Sequence, residues 1–163
     1  MVQVINCASF SEIGKYRKGN EDFIYPCCNQ DRIFVLCDGM GGHGHGEIAS
    51  EIVGTSVFDY LKKLQIDEYT PDVLQGALDF AVKQLNNADT YHDERRMGTT
   101  LVVVALNRYN VLVGHVGDSR CYWLDNRCNI KFRTRDHSMV AEAVENQILT
   151  EEEAFNSPKK NIL

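Results

Sequence analysis

The stretch from Ile33 to Gly46 constrains this chain more than any other. Ile33-Phe34-Val35-Leu36-Cys37 is an unbroken apolar run, and Asp38-Gly39-Met40-Gly41-Gly42-His43-Gly44-His45-Gly46 follows it with five glycines in nine residues. The run predicts a strand buried on both faces that ends at Asp38. The glycines predict backbone that turns sharply or approaches something closely. An aspartate at the lip of a sheet costs free energy unless a cation or hydrogen-bond donors meet it. The question is therefore which groups converge on Asp38.

Two further strand ends carry carboxylates. Glu21-Asp22 precedes the short apolar stretch at residues 23–25, and Asp118 follows the β-prone run at residues 111–116. Oxygen ligands at strand ends suit hard divalent ions such as Mg²⁺ and Mn²⁺. Arg17 lies four residues before Glu21 in a glycine-flanked loop, and beside a metal a planar guanidinium can clamp a phosphate through two oxygens. Metal and arginine together point to phosphoryl chemistry. His43 and His45 could ligate a transition metal, but a flexible glycine-rich turn is a poor frame for such a site. Thr99 and Thr100 read as strand-start packing and hydrogen bonding rather than catalysis.

The rest of the chain supplies a frame for these groups. Residues 2–10 predict a strand and residues 11–22 a polar loop. A helical period begins at Glu47 and carries Ile48, Ala49, Ile52, Val53, Val57 and Leu61 on one stripe. A second helix opens at Thr70-Pro71 and runs to Ala88. Residues 99–106 and 111–116 form a hairpin pattern across 107–110, and strands follow at 120–124 and 130–132. Helical patches at 138–146 and after Thr150, which has capping-box spacing, close the chain. Met97, Trp123 and Met139 are expected in the core. Hairpin-connected strands and paired helices, with no repeat or linker, make one α+β unit.

Composition narrows the partners. The chain has 163 residues, 44% of them hydrophobic and 25% charged, which is ordinary for a globular domain. Its net charge of -6 has the wrong sign for broad binding of nucleic acid or anionic lipid, so neither nucleic acid nor a membrane is expected as partner. Cys7, Cys27, Cys28, Cys37, Cys121 and Cys128 include no C-x-x-C pair, and residues 1–10 lack a signal-peptide pattern. Reduced thiols and a cytoplasmic location are expected.

In this order the motifs resemble the metal-dependent Ser/Thr protein phosphatases of type 2C, the PPM class. Gly14-x-x-Arg17-x-x-Asn20-Glu21-Asp22 is similar to the family's first motif, and residues 35–43 with Gly46-x-x-Ala49-Ser50 to its second. Met97-Gly98-Thr99-Thr100 resembles the third, Gly117-Asp118-Ser119-Arg120-x-Tyr122 the fourth and Thr134-x-Asp136-His137-Ser138 the fifth. Residues 148–163 follow the next family segment. The resemblance implies a four-layer α-β-β-α sandwich of two antiparallel sheets flanked by helix pairs, with a dinuclear Mn²⁺ or Mg²⁺ centre. Asp38 would bridge the ions, the Gly39 carbonyl would ligate one, and Asp22 and Glu21 would hold that ion's waters. Arg17 would bind the substrate phosphate, and Asp118 would serve a third, weaker ion. The implied reaction is attack of a metal-bridging hydroxide on phosphoserine or phosphothreonine in proteins, with a Ser/Thr kinase as a possible counterpart. Met40 stands where many eukaryotic members carry a histidine, which favours a bacterial-type member and leaves the general acid unassigned.

The family continues past the segment matched by residues 161–163 into a strand and an Asp-Asn pair that complete the second metal's ligands. Residues 1–163 therefore read as a single, C-terminally partial catalytic domain with little activity alone. The alternative readings are an inactive phosphatase-like binding or regulatory module, and a phosphatase of the same fold serving a different role.

Overall fold

A computed structural model describes residues 1–15, 17, 19–25, 32–40, 45–89, 97–159 and 162. The chain divides into two compact units, Met1–Gly114 and His115–Leu163. Cys27, Cys28, Gly41, Gly42, His43, Asn161 and Leu163, which figure in the sequence reading, lie outside the described residues.

The first unit is built on strand β2 (Ile33–Met40). It pairs antiparallel with β1 (Asp22–Ile24) on one side, and with β3 (Gly98–Thr99) and β4 (Leu101–Leu106) on the other. β5 (Val111–Val116) extends the sheet beyond β4. The apolar run is buried on one face only: Ile33, Val35, Cys37 and Gly39 point inward, whereas Leu36 is 38% exposed. The strand also continues through Asp38 to Met40, so the aspartate lies within the ladder and not beyond it. Periodicity cannot reveal how many layers cover a strand, and β1 and β3 supply the pairing that carries β2 past Cys37. The Cys37 thiol is buried, and desolvation pushes its pKa up to about 12.

Helices α1 (His45–Leu61) and α2 (Pro71–Ala88) pack together, with α1 laid on β2. The buried stripe of α1 is Gly46, Ala49, Ser50, Val53, Gly54, Val57 and Leu61, small at its first turns and large at its end. A side chain at Gly54 would overlap the Phe23 ring, so this glycine lets the helix seat on β1. Burying side chains such as Val57 and Leu61 stabilises the unit by roughly 1.5–3 kcal/mol each. The start of α2 is as the sequence predicts: the Thr70 hydroxyl accepts from the Val73 N–H at 3.2 Å and proline occupies the first turn. Buried Asn107 ties the α1–α2 connection to the β4–β5 hairpin. Its side-chain amide donates to the Tyr69 carbonyl at 2.8 Å and accepts from the Tyr69 N–H.

Residues 2–10 form no strand, contrary to expectation. Val2 N–H donates to the Arg108 carbonyl, but Ile5 and Phe10 are exposed and no ladder develops. β-prone composition is not enough without a partner in register. Cys7 is disulfide-bonded, which corrects the expectation of reduced thiols throughout, while Cys37, Cys121 and Cys128 are free.

The second unit holds a two-stranded antiparallel ribbon, β6 (Tyr122–Leu124) and β7 (Ile130–Arg133), followed by α3 (Met139–Glu145) and α4 (Glu151–Asn156). Each unit thus contributes one antiparallel sheet and one helix pair, the α+β composition expected. Trp123 is 66% and Met139 51% exposed, so neither belongs to the core, whereas Met97 does. A lone ribbon has no second layer of its own to cover its faces. Ser138 caps α3 and Thr150 with Glu153 closes the predicted capping box on α4. Asp136 meets Arg120, whose Nε donates to it at 2.7 Å in a two-pronged pair. The Gly117 carbonyl accepts from the His137 N–H and the Cys121 N–H donates to Thr134 Oγ1, so the fourth and fifth motifs form one hydrogen-bonded piece.

Hydrogen bonding from Arg120 lowers the Asp136 pKa below its ordinary value. A depressed folded-state pKa stabilises the fold above the unfolded value of about 3.9, and the gain is lost as pH falls through the folded value. Asp136→Asn is expected to lower the thermal midpoint at about pH 7, with the gap from the parent chain closing toward about pH 2. A gap that stays constant with pH in calorimetry would contradict the ion pair's contribution.

Candidate active site

Four of the sequence-predicted side chains, Arg17, Glu21, Asp22 and Asp38, meet where β1 pairs with β2. Asp22 and Asp38 are direct partners across the antiparallel ladder, and both are exposed. Along β2 the even-numbered residues face away from the inward set, so the two carboxylates share the sheet face turned from α1. Like charges opposite one another destabilise a ladder. Glu21 turns differently: its carboxyl carbon lies against Gly46 in the first turn of α1, where the helix dipole favours a negative charge. Arg17, 75% exposed, forms an ion pair with Glu21 at 3.7 Å. The Asp22 N–H donates to Asn20 Oδ1 at 3.0 Å, which shapes the approach to β1.

Backbone contacts fix these groups. The Gly39 N–H donates to the Glu21 carbonyl at 2.9 Å, and buried Ser50 donates to the same oxygen at 2.7 Å. Gly39 itself is packed against Gly46, so that a Cβ there would overlap the Gly46 carbonyl oxygen and stand 2.6 Å from the Glu21 oxygen. On the other side of β2, Thr100 N–H donates to the Asp38 carbonyl at 2.9 Å, and the Asp38 N–H donates to Thr100 Oγ1 at 2.9 Å. Thr99 Oγ1 lies 3.0 Å from both the Asp38 and the Thr100 carbonyl oxygens. The threonines were expected to pack and hydrogen-bond, and they do so on the main chain of the central aspartate.

A sequence model of the protein phosphatase 2C family matches residues 18–154. The chain belongs to that family. It is 34% identical over 157 residues to the serine/threonine phosphatase stp of Listeria welshimeri, covering 92% of this chain and 62% of that protein. The crystal structure of Stp1 from Staphylococcus aureus superposes with a TM-score of 0.80 at 34% identity, covering 94% of this chain and 62% of the other. The catalytic domain of the phosphatase PstP, crystallised with two manganese ions, superposes at a TM-score of 0.76 and 31% identity, covering 90% and 62%. The chain therefore spans less than two thirds of the length of these phosphatase 2C relatives.

Within the family frame, the structure brings the first-motif residues Arg17, Glu21 and Asp22 together with Asp38 and Gly39 of the second. Asp118 of the fourth motif is exposed in the second unit, just beyond β5. Among the described residues no group of three or more His, Cys, Asp or Glu side chains is placed to hold a metal ion. Asp22 and Asp38 supply hard oxygen donors, so they fit one side of a divalent-ion site and do not close it. No helix among the described residues is long and apolar enough to cross a membrane.

The Gly39–Gly46 contact sets an order of sensitivity. Gly39→Ala is expected to cost about 3 kcal/mol because its methyl would meet main chain, and Gly46→Ala about 1 kcal/mol because its contacts begin at 2.9 Å. Urea unfolding of the two variants would reverse or equalise that order if the contact were not as described.

Proposed function

We propose that this chain carries the phosphate-binding arginine and the central carboxylates of a Mn²⁺- or Mg²⁺-dependent phosphatase acting on phosphoserine and phosphothreonine in proteins. The observation that carries the reading is the Asp22–Asp38 pair, directly opposed across two strands beside the Arg17–Glu21 ion pair. Likeness to a named serine/threonine phosphatase and to a manganese-bound catalytic domain supports it.

Asp38, Asp22 and the Gly39 carbonyl are the groups that would hold the ions, with Glu21 accepting from ion-bound water. Asp118 is available to a further, weaker ion. Bound there, divalent ions supply acidified water and a positive field for the phosphoryl oxygens. The chain's own contribution is orientation. A 3.7 Å pairing with Glu21 engages few of the five donors of Arg17, which leaves the guanidinium able to take two phosphate oxygens. Glu21 keeps that guanidinium at the edge where the carboxylates stand.

Two divalent ions bring four positive charges, and Asp22 with Asp38 answers only two of them. The 163-residue chain alone is therefore expected to bind Mn²⁺ weakly and to hydrolyse a phosphothreonine peptide hardly at all. Titration calorimetry of the chain should show weak Mn²⁺ binding that Asp38→Ala weakens by at least about 100-fold. Unchanged binding by that variant would overturn the assignment of Asp38, and rapid Mn²⁺-dependent turnover by the unmodified chain would overturn the expected inactivity.

A further inference from the structure

The register of β2 against its neighbours is continuous on either side of Asp38. Leu36 pairs with Val102 in β4, and Gly39 pairs with Thr99 in β3. Between them Asp38 faces Thr100, and there the strand is interrupted: β3 ends at Thr99 and β4 begins at Leu101. The hydrogen bonds show what replaces the regular ladder. One main-chain bond survives, from the Thr100 N–H to the Asp38 carbonyl. For the return bond the acceptor is the Thr100 hydroxyl in place of a carbonyl. The Thr100 carbonyl is within reach of the Thr99 hydroxyl, which also reaches the Asp38 carbonyl. Two hydroxyls thus complete a ladder step that two strands would ordinarily complete with main chain alone.

A side chain in this role has a cost and a use. Thr100 is only 2% exposed, so its hydroxyl sits where an unmet polar group would be penalised. The Asp38 peptide is gripped at both its N–H and its carbonyl while its carboxylate remains exposed. Fixing the peptide on both sides limits the directions in which the side chain can leave the strand. Supports of this kind orient ligating side chains and tune metal affinity.

We propose that Thr100, assisted by Thr99, is a positioning residue that sets Asp38 for cation binding by substituting its hydroxyl for a main-chain acceptor at one step of the ladder. The inference rests on the reading of Asp38 as a metal ligand. Thr100→Val keeps the shape and removes the hydroxyl, whereas Thr100→Ser keeps the hydroxyl and removes a methyl group. A role confined to packing makes serine the worse substitution, and a positioning role makes valine the worse.

The test is a Mn²⁺ titration of the full 163-residue chain followed by paramagnetic broadening of the Asp22, Asp38 and Gly39 amide signals. The parent chain and Thr100→Ser are expected to reach half-broadening at similar Mn²⁺, and Thr100→Val to need about ten-fold more. Hydrogen exchange of the Asp38 amide should quicken in the valine variant and not in the serine one. Broadening of folded Thr100→Val at the parent concentration would overturn the inference while leaving the metal reading intact. Absence of broadening at these amides in the parent chain would overturn both. If Thr100→Val does not fold, Thr99→Val, which removes the hydroxyl donor to the Asp38 carbonyl and leaves the Thr100 N–H, is expected to raise the half-broadening concentration while Thr99→Ser does not; equal values for that pair would count against the proposal.

Discussion

Everything at the β1–β2 edge depends on two glycines whose main chains touch. Gly39 near the end of β2 and Gly46 in the first turn of α1 approach so closely that neither position has room for a methyl group. That contact brings the positive end of a helix up to Glu21, lets the Gly39 N–H reach the Glu21 carbonyl, and puts Ser50 within reach of the same oxygen. Strand, loop and helix are joined through main-chain atoms, and side-chain chemistry is then free to face outward. Asp22 and Asp38 stand exposed because the atoms around them already have partners.

Such an arrangement keeps like charges side by side at the expense of the ladder that bears them. It persists because β2 is paired on both edges and its inward face is packed by α1. Val35 and Cys37 are nearly inaccessible, and so are Val53 and Val57 opposite. The strain of opposed carboxylates is small beside that burial, so the fold tolerates the pair.

Local signals were legible in the sequence, and long-range ones were not. Thr70-Pro71 and the Thr150–Glu153 spacing placed two helix starts because capping is decided within one turn. The five glycines after Cys37 announced a close approach, and Gly39 against Gly46 is that approach. Residues 2–10 failed because β propensity names no partner, and Trp123 failed because an aromatic residue in a strand does not disclose whether a second layer covers it. Leu36 failed for the same reason from within an apolar run. Of the site residues, Arg17, Glu21, Asp22 and Asp38 converge as the spacing suggested. That Thr99 and Thr100 hydrogen-bond was legible, but that their partner is Asp38 was not, since a Gly-Thr-Thr stretch looks like any strand start until the partner strand is known.

Cys37 sits immediately before the central aspartate, and its thiol is fully enclosed with a pKa near 12. Burial thus keeps the sulfur in its protonated thiol form, whereas peroxides and electrophiles attack the thiolate. The strand that presents Asp38 is thereby insulated from oxidative and alkylating chemistry, even though a cysteine lies one residue away from that exposed carboxylate. A covalent inhibitor aimed at that sulfur would meet a closed core, whereas the free Cys128 is exposed.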